Sequence, residues 1–493
     1  MNNIIFYFSG HSYEYEVRND LRIFDLNISY EIKDIEESEK NMGLGLVSIL
    51  EEDNGKFKSK AFLYFDNKLL YKSEYHSAEI VIESNNILRL KKNLVVKAIH
   101  NVLKCYYNII PEYGILTGVR VVKILITALR NNKTKLEANR ILKDTYEVTD
   151  NKIKLLWDIL SIEEKYIDEE KNNKNYNLYI GIPFCPSKCS YCSFTSYIDC
   201  KDNKINEYIQ TLLYEIEETI KMALEKGLRL NTVYIGGGTP SILDEKQIET
   251  IFDCIKKYYD LSKIKEVTFE AGRPDTLTEE KLISIKKNGV NRISINPQTM
   301  NEKTLRNVSR NHSASDIIDK YELARTIGFD SINMDVILGL PGEDERDVLN
   351  TIEKIVKLQP ENITIHALAY KRNSELSREI EEFSKDYDLI GKMQDAIKNE
   401  CSIAEYMPYY MYRQKNIKGN SENIGFTLAG KECIYNIVII EELETILACG
   451  LGVSSKIKQD DGRHVPHHNF KGLEEYKNRI NEILKKKKEL LNL

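Results

Sequence analysis

Cys185-Pro-Ser-Lys-Cys189-Ser-Tyr191-Cys192 decides how the rest of the chain is read. Three cysteines in the spacing C-x3-C-x2-C can hold three irons of a 4Fe–4S cluster as thiolates. The fourth iron is then left without a protein ligand and open to a small molecule. Clusters that only carry electrons are ordinarily held by four cysteines, so an open iron points to chemistry at the cluster. The competing reading is a structural zinc knot, which closes with a fourth Cys or His at short spacing. Cys200 is near enough to be that fourth ligand, and no histidine is.

Outward from this stretch, strand and helix patterns alternate after the polar, linker-like run Glu169-Glu-Lys-Asn-Asn-Lys-Asn175. Short apolar runs predict strands at 177–182, 232–235, 266–270, 292–295, 331–337 and 362–366, with helical spacing between them. Six β/α units in about 190 residues imply a parallel sheet with right-handed crossovers. A closed eight-unit barrel takes about 250 residues. An open (β/α)6 partial barrel is therefore expected, with a flat doubly wound sheet as the alternative. In either architecture ligands gather at the carboxyl ends of the strands, and the distinctive residues fall there. The cysteines follow the first strand and Gly236-Gly-Gly-Thr-Pro240 follows the second. Glu270 ends the third, Gln298 follows the fourth, and Asp335 sits late in the fifth.

The glycine run lacks the Gly-Lys-Ser/Thr of a phosphate loop. It reads either as a tight turn or as backbone that approaches a ligand closely. A carboxylate such as Glu270 in a barrel mouth needs a partner, whether a local cap, Arg273 or a donor on a ligand. Arg310 carries a permanent charge suited to a ligand carboxylate, and Asp335 suits hydroxyl groups.

Together these motifs resemble the radical S-adenosylmethionine (SAM) superfamily. The stretch from Tyr179 to about Ala369 is similar to oxygen-independent coproporphyrinogen III oxidase. Through Glu270-Ala-Gly-Arg-Pro-Asp275, Asp335-Val-Ile-Leu-Gly-Leu-Pro-Gly342 and Met411-Tyr-Arg-Gln-Lys-Asn416, the whole chain most resembles the coproporphyrinogen dehydrogenase branch, which carries a long extra N-terminal region. The resemblance implies a 4Fe–4S cluster on Cys185, Cys189 and Cys192, with SAM on the open iron. It places Tyr179, Tyr191, Gly237, Gly238, Thr239, Glu270, Gln298, Arg310, Asp335, Ile337 and Ala369 against SAM.

The reaction so implied cleaves SAM to a 5′-deoxyadenosyl radical, which takes hydrogen from the β-carbon of a propionate. Loss of carbon dioxide and one electron leaves a vinyl group. Two such events turn coproporphyrinogen III into protoporphyrinogen IX in haem (porphyrin) biosynthesis. A reducing electron-transfer protein and an electron acceptor are implied as partners, and the sequence identifies neither. A substrate with four carboxylates calls for cations. Lys371, Arg372, Arg413 and Lys415 are the candidates, with Tyr410 and its neighbours Tyr409 and Tyr412 to pack on the macrocycle. A solvated basic face beside core tyrosines is the plainer alternative.

The chain departs from the oxidase pattern at Gly181, where the oxidase has a histidine, and at Phe194, where it has a further cysteine. The Tyr-Cys-Ser-Phe form is shared with related haem chaperones. Two other functions therefore stand beside the oxidase: a haem-binding chaperone, and another radical SAM reaction on a tetrapyrrole such as methyl transfer with ring opening.

Residues 1–170 show β-type runs at 4–9, 13–17, 43–49, 61–65 and 79–82, then helical spacing, and are expected to form an α+β domain of unknown role. Residues 176–370 are assigned to the barrel and 371–493 to a C-terminal substrate-covering domain, with a strand expected at 435–440 and a lysine-rich helix at the end. His464, His467 and His468 read as a surface loop, and Cys200, Cys433 and Cys449 as ordinary buried thiols. A chain of 493 residues suits two or three domains. A net charge of −6 gives no sign of nucleic-acid binding. No apolar run reaches membrane-spanning length, and the first residues lack a signal-peptide pattern. Nine cysteines, scattered apart from the triad, fit reduced intracellular thiols. A cytoplasmic protein without membrane insertion is expected, and an oxygen-sensitive cluster fits anaerobic growth.

Overall fold

Hairpin turns at Asn54-Gly55 and Asp66-Asn67 organise the N-terminal sheet. All four residues have positive φ (49°, 73°, 46° and 61°), the handedness that matches a two-residue turn to strand twist. The computed structural model describes residues 3–24, 29–33, 43–83, 86–170, 174–194, 196–198, 202–369, 374–376, 387–414, 417 and 421–493. The chain divides into two compact units. The first is Met1–Ser161 with Arg378–Gly391 and Met411–Asn423, and the second is Ile162–Ser377 with Lys392–Tyr410 and Ile424–Leu493.

In the first unit, β1 (Asn3–Ser9), β2 (Ser29–Lys33), β3 (Leu44–Asp53), β4 (Lys56–Phe65) and β5 (Lys68–His76) form one sheet in the order β2-β1-β3-β4-β5. Strand β1 runs parallel to both neighbours, while β3, β4 and β5 are joined antiparallel. Leu46 and Leu63 from the sheet pack with Leu94, Ala98, Ile99 and Val102 of the helix Ile87–Tyr107. Asn86 caps that helix by accepting the Arg89 N–H. The strand expected at 13–17 is instead the start of the helix Glu14–Phe24. Val17, Leu21 and Phe24 are buried there at helical spacing, which outweighs the β-propensity of the tyrosines. Residues 79–82 form no strand; a short turn, Ser77–Glu79, ends the run.

The second unit carries β6 (Asn175–Ile182), the two-residue strands β7 (Phe184–Cys185) and β8 (Tyr197–Ile198), then β9 (Arg229–Gly237), β10 (Glu266–Glu270), β11 (Arg292–Ser294), β12 (Ser331–Leu338) and β13 (Asn362–Ala367). Strands β6, β9, β10, β11, β12 and β13 are neighbours in chain order and all parallel. A doubly wound sheet would reverse order partway; here the order never reverses, so the open (β/α)6 arrangement is the one observed.

Residues 371–493, expected as a single covering domain, are shared out differently. Residues 411–423 belong to the first unit. Strands β14 (Met407–Tyr412) and β15 (Asn423–Thr427) extend the sheet beyond β13, while β16 (Thr445–Cys449), β17 (Ser454–Lys458) and β18 (His464–His468) extend it beyond β6. The outcome is an eleven-stranded sheet with two open edges. The strand expected at 435–440 is the helix Ile434–Glu441. Its apolar run has no clear period, and the Glu266 carboxylate decides the matter by accepting the N–H groups of Ile434 (2.8 Å) and Tyr435 (3.1 Å) at the first turn. The histidines lie on β18 rather than in a loop. His467 is on the opposite face from His464 and His468, and burial pushes it down to about 4.

One buried charge docks the last helix, Ile480–Leu490. Lys487 Nζ, fully buried, donates to Glu215 Oε1 and to the Ala448 carbonyl, each at 2.7 Å. The same carboxylate accepts the Gly450 N–H (2.7 Å), Asn469 Nδ2 (2.7 Å) and the Tyr476 hydroxyl (2.5 Å).

Candidate active site

Strand β6 delivers Gly181 and Ile182 to the rim, and the cysteine loop begins at once. The Gly238 N–H donates to the Ile182 carbonyl and the Thr239 N–H to the Phe184 carbonyl, each at 2.8 Å. This zips the glycine run after β9 to the first turn of the cysteine loop. Gly237 has φ +117°, and a Cβ on Gly238 would stand 2.7 Å from the Phe184 carbonyl and 2.9 Å from Cys185 Sγ. The glycines are needed here for close packing against the cysteine loop itself. Thr239 Oγ1 donates to Cys185 Sγ at 3.4 Å. The Cys192 N–H donates to the Cys189 carbonyl at 3.0 Å. Burial pushes the Cys192 thiol above its ordinary range, with the neighbouring thiols adding to the effect. Gly181 is also tight: a Cβ there would run into Val453 Cγ1, so a histidine would need this chain to give way.

Side chains two apart on a strand share a face, and on the inner face they make a polar ring. Tyr179 stacks on Tyr234 (centroids 5.9 Å) and on Tyr435 (6.1 Å), and Tyr234 on Tyr435 (4.5 Å). The Tyr234 hydroxyl and the Gly237 N–H hold the two oxygens of Glu270. Even so, burial lifts Glu270 to about 7. Asp335 accepts Asn296 Nδ2 and Asn333 Nδ2, each at 2.7 Å, and His366 Nε2 lies 3.8 Å away. Gln298 bridges to β12 through its backbone, with its N–H on the Asp335 carbonyl and its carbonyl taking the Ile337 N–H, both at 2.9 Å. It does so at φ +64°, a conformation uncommon for a residue with a side chain. Arg310 is buried; Nη2 donates to the Asn296 carbonyl (2.6 Å) and the Gly272 carbonyl (3.3 Å), while Nε has no acceptor.

The residues fit an iron–sulfur cluster with an anionic ligand beside it. Three thiols come from one loop, a glycine leaves space at Cys185 Sγ, and the orphaned Nε of Arg310 is a buried donor that lacks an acceptor within the protein. Among the described residues no three Cys, His, Asp or Glu side chains converge on one ion-sized point.

Of the residues set against SAM by resemblance, Tyr179, Gly237 and Glu270 are joined through the contacts above, as are Gln298, Arg310, Asp335 and Ile337 in a second group, and Ala369 lies two residues beyond β13. Tyr191, Gly238 and Thr239 belong to the cysteine side. The substrate candidates fare differently. Lys371, Arg372 and Lys415 lie outside the described residues, as does Cys200. Tyr410 is buried edge-on against Tyr409 (4.7 Å, 61°) and packs directly over Gly425. Arg413 is a structural cation of the first unit. It sits over the Tyr113 ring at 4.4 Å and donates to the carbonyls of Leu116 and Ser421. None of these contacts supports its expected role towards a substrate carboxylate.

Tyr234, Asn296, Asn333, His366 and Tyr435 were not singled out from the sequence. Alternation offered a signal for four of them, since Tyr234 precedes Gly236 by two, Asn296 precedes Gln298, Asn333 precedes Asp335, and His366 lies at the end of the sixth strand. Tyr435 had none, because its helix was read as a strand.

Residues 179–355 match the sequence profile of the radical SAM superfamily. The chain is 37% identical over 398 residues to the oxygen-independent coproporphyrinogen-III oxidase-like protein HemZ of Bacillus subtilis, covering 79% of each chain. It is 30% identical over 319 residues to the heme chaperone HemW of Lactococcus lactis, covering 64% of this chain and 79% of that one. The structure of coproporphyrinogen III oxidase (HemN) from Escherichia coli, a radical SAM enzyme, shares the fold. It matches with a TM-score of 0.51 at 21% identity, over 65% of this chain and 72% of that one.

Proposed function

The chain belongs to the radical SAM superfamily, among the oxygen-independent coproporphyrinogen-III oxidase-like proteins, and from that premise we propose that it converts coproporphyrinogen III to protoporphyrinogen IX by oxidative decarboxylation without oxygen. The family's cofactors are a 4Fe–4S cluster and SAM. When bound, they supply a carbon-centred radical able to take hydrogen from an unactivated C–H bond.

The protein's own part is binding, orientation and exclusion of water. Cys185, Cys189 and Cys192 would hold the cluster. Ionised Glu270, aimed by Tyr234 and the Gly237 N–H, would accept from the ammonium group of SAM. The free Nε of Arg310 would donate to its carboxylate. Asp335, fixed by Asn296 and Asn333, would accept from the ribose hydroxyls. The stacked tyrosines would close the site against solvent, which strengthens each of these charged contacts.

The observation that carries the oxidase reading is the span of the Bacillus relative. Its 398 matched residues exceed everything from 162 onward, so the similarity reaches into the N-terminal unit as well as the barrel. A second reading is supported by the heme chaperone match and by Phe194, which is 67% exposed where the oxidase pattern has a cysteine. In that reading the chain binds haem and delivers it. A cytoplasmic location suits either function; among the described residues no helix is long and apolar enough to cross a membrane.

Anaerobic incubation with coproporphyrinogen III, SAM and a reductant, followed by product mass, tests the proposal. Loss of two carboxyl groups per tetrapyrrole is expected. Haem retention without decarboxylation favours the chaperone, and a methylated or linear product a different radical reaction.

A further inference from the structure

We propose that Arg273 is a positioning residue for the cluster: its guanidinium braces the cysteine loop and raises the reduction potential at the Cys189 thiolate, with Asp275 as the counter-ion that aims it. This rests on the cluster reading of Cys185, Cys189 and Cys192.

Arg273 is 4% exposed, and every edge of its guanidinium is in use. One edge is bidentate on Asp275, Nε to Oδ1 at 3.0 Å and Nη2 to Oδ2 at 2.7 Å. The other reaches across to the cysteine loop. Nη1 donates to the Ser187 carbonyl (3.2 Å) and hydroxyl (3.0 Å) and lies 3.9 Å from Cys189 Sγ. The planar fork makes both engagements possible at once, which a lysine cannot reproduce.

The backbone beneath it is fixed as well. Pro274 limits the chain at the next residue, and Thr276 returns two bonds to the Arg273 carbonyl, from its N–H at 3.1 Å and from Oγ1 at 2.9 Å. Thr276 Oγ1 in turn pairs with Ser241 Oγ at 2.6 Å, just after the glycine run. Arg273 therefore stands as a strut between the loops after β6, β9 and β10.

A structural strut alone would need only Ser187 and Asp275. The approach to Cys189 Sγ adds an electrostatic role. A cluster gains negative charge on reduction, so a buried cation and a donor at a ligand sulfur favour the reduced form and raise the potential. Asp275 tempers that cation, so the pair sets the field at one thiolate.

The test is an anaerobic potentiometric titration of the reconstituted protein, followed by electron paramagnetic resonance, on Arg273→Gln, Arg273→Lys and Asp275→Asn. Iron and sulfide are counted on each sample. Arg273→Gln is expected to move the midpoint to more negative potential, Asp275→Asn to more positive potential, and Arg273→Lys to lie between Arg273→Gln and the parent. Asp275→Asn keeps the test open if Arg273→Gln fails to hold a cluster. An unchanged midpoint in Asp275→Asn at parental iron and sulfide content would overturn the proposal. A parent that binds no iron and sulfide would overturn the cluster reading itself, a separate outcome.

Discussion

The Tyr234 hydroxyl donates to Glu270 Oε1 at 2.7 Å, yet Glu270 still titrates at about 7 because burial outweighs that bond. In the unfolded chain the carboxyl ionises near its ordinary 4.5. The folded chain thus holds the extra proton between those values. The stabilising contribution is full below about 4.5 and is lost as pH rises through about 7. Glu270→Gln should remove this slope, becoming more stable relative to the parent from pH 5 to pH 8 in denaturant titrations. If only the ionised carboxylate accepts from SAM, affinity should rise towards pH 8 by about tenfold per pH unit below 7. Anaerobic calorimetry reads this directly; a flat profile in the parent would count against Glu270 as an ammonium acceptor.

Gly238→Ala places a methyl 2.7 Å from the Phe184 carbonyl and 2.9 Å from Cys185 Sγ. Neither neighbour is the end of a long flexible side chain. The expected cost is about 1–3 kcal/mol, with reduced iron and sulfide content after reconstitution. A variant that loads like the parent would show that the loop yields more easily than its hydrogen bonds suggest.

Cys189→Ala removes one of the three thiolates and leaves the Arg273 cation without its sulfur neighbour. Bound iron, the visible absorption of the cluster and reductive cleavage of SAM should all fall to background. Retention of a full cluster by this variant would sink the ligand assignment.

Arg413→Ala should act on folding, because this arginine lies over Tyr113 and serves two backbone carbonyls. Loss of buried hydrogen bonds and packing should cost about 2–4 kcal/mol. Under the proposed reaction, KM for coproporphyrinogen III, measured on the folded fraction, should stay within about twofold, well under the tenfold that 1.4 kcal/mol of lost binding would give. A large rise in KM with an unchanged melting temperature would restore Arg413 to the substrate.

Lys487→Met strands the fully buried Glu215 carboxylate. Breaking one partner of such a pair costs about 3–5 kcal/mol. Adding Glu215→Gln should recover part of that loss, since the remaining group is then neutral. Chemical denaturation of the two variants measures the coupling.

The barrel was legible because its strand ends carry unusual residues at regular intervals. Glu270 ends β10 where expected, and the triad opens the loop after β6. For Asn296 and His366 alternation gave a position but not a role. Their meaning depends on which neighbours the parallel register brings beside Asp335, and a single strand does not encode that. The aromatic-basic stretch around Arg413 was ambiguous for a related reason: charge and aromaticity look the same whether they face a ligand or brace a core. Tyr435 was missed because an apolar run without a period suits helix and strand alike, and the deciding partner, Glu266, lies far away in the chain.

Strand β6 has β9 on one side and β16 on the other. During synthesis its second flank stays bare until residues from Thr445 onward have left the ribosome. The cysteine loop springs from that same strand, so its base is flanked on both sides only once β16 has paired. A polypeptide that stalls before Thr445 offers an unpaired edge to its neighbours.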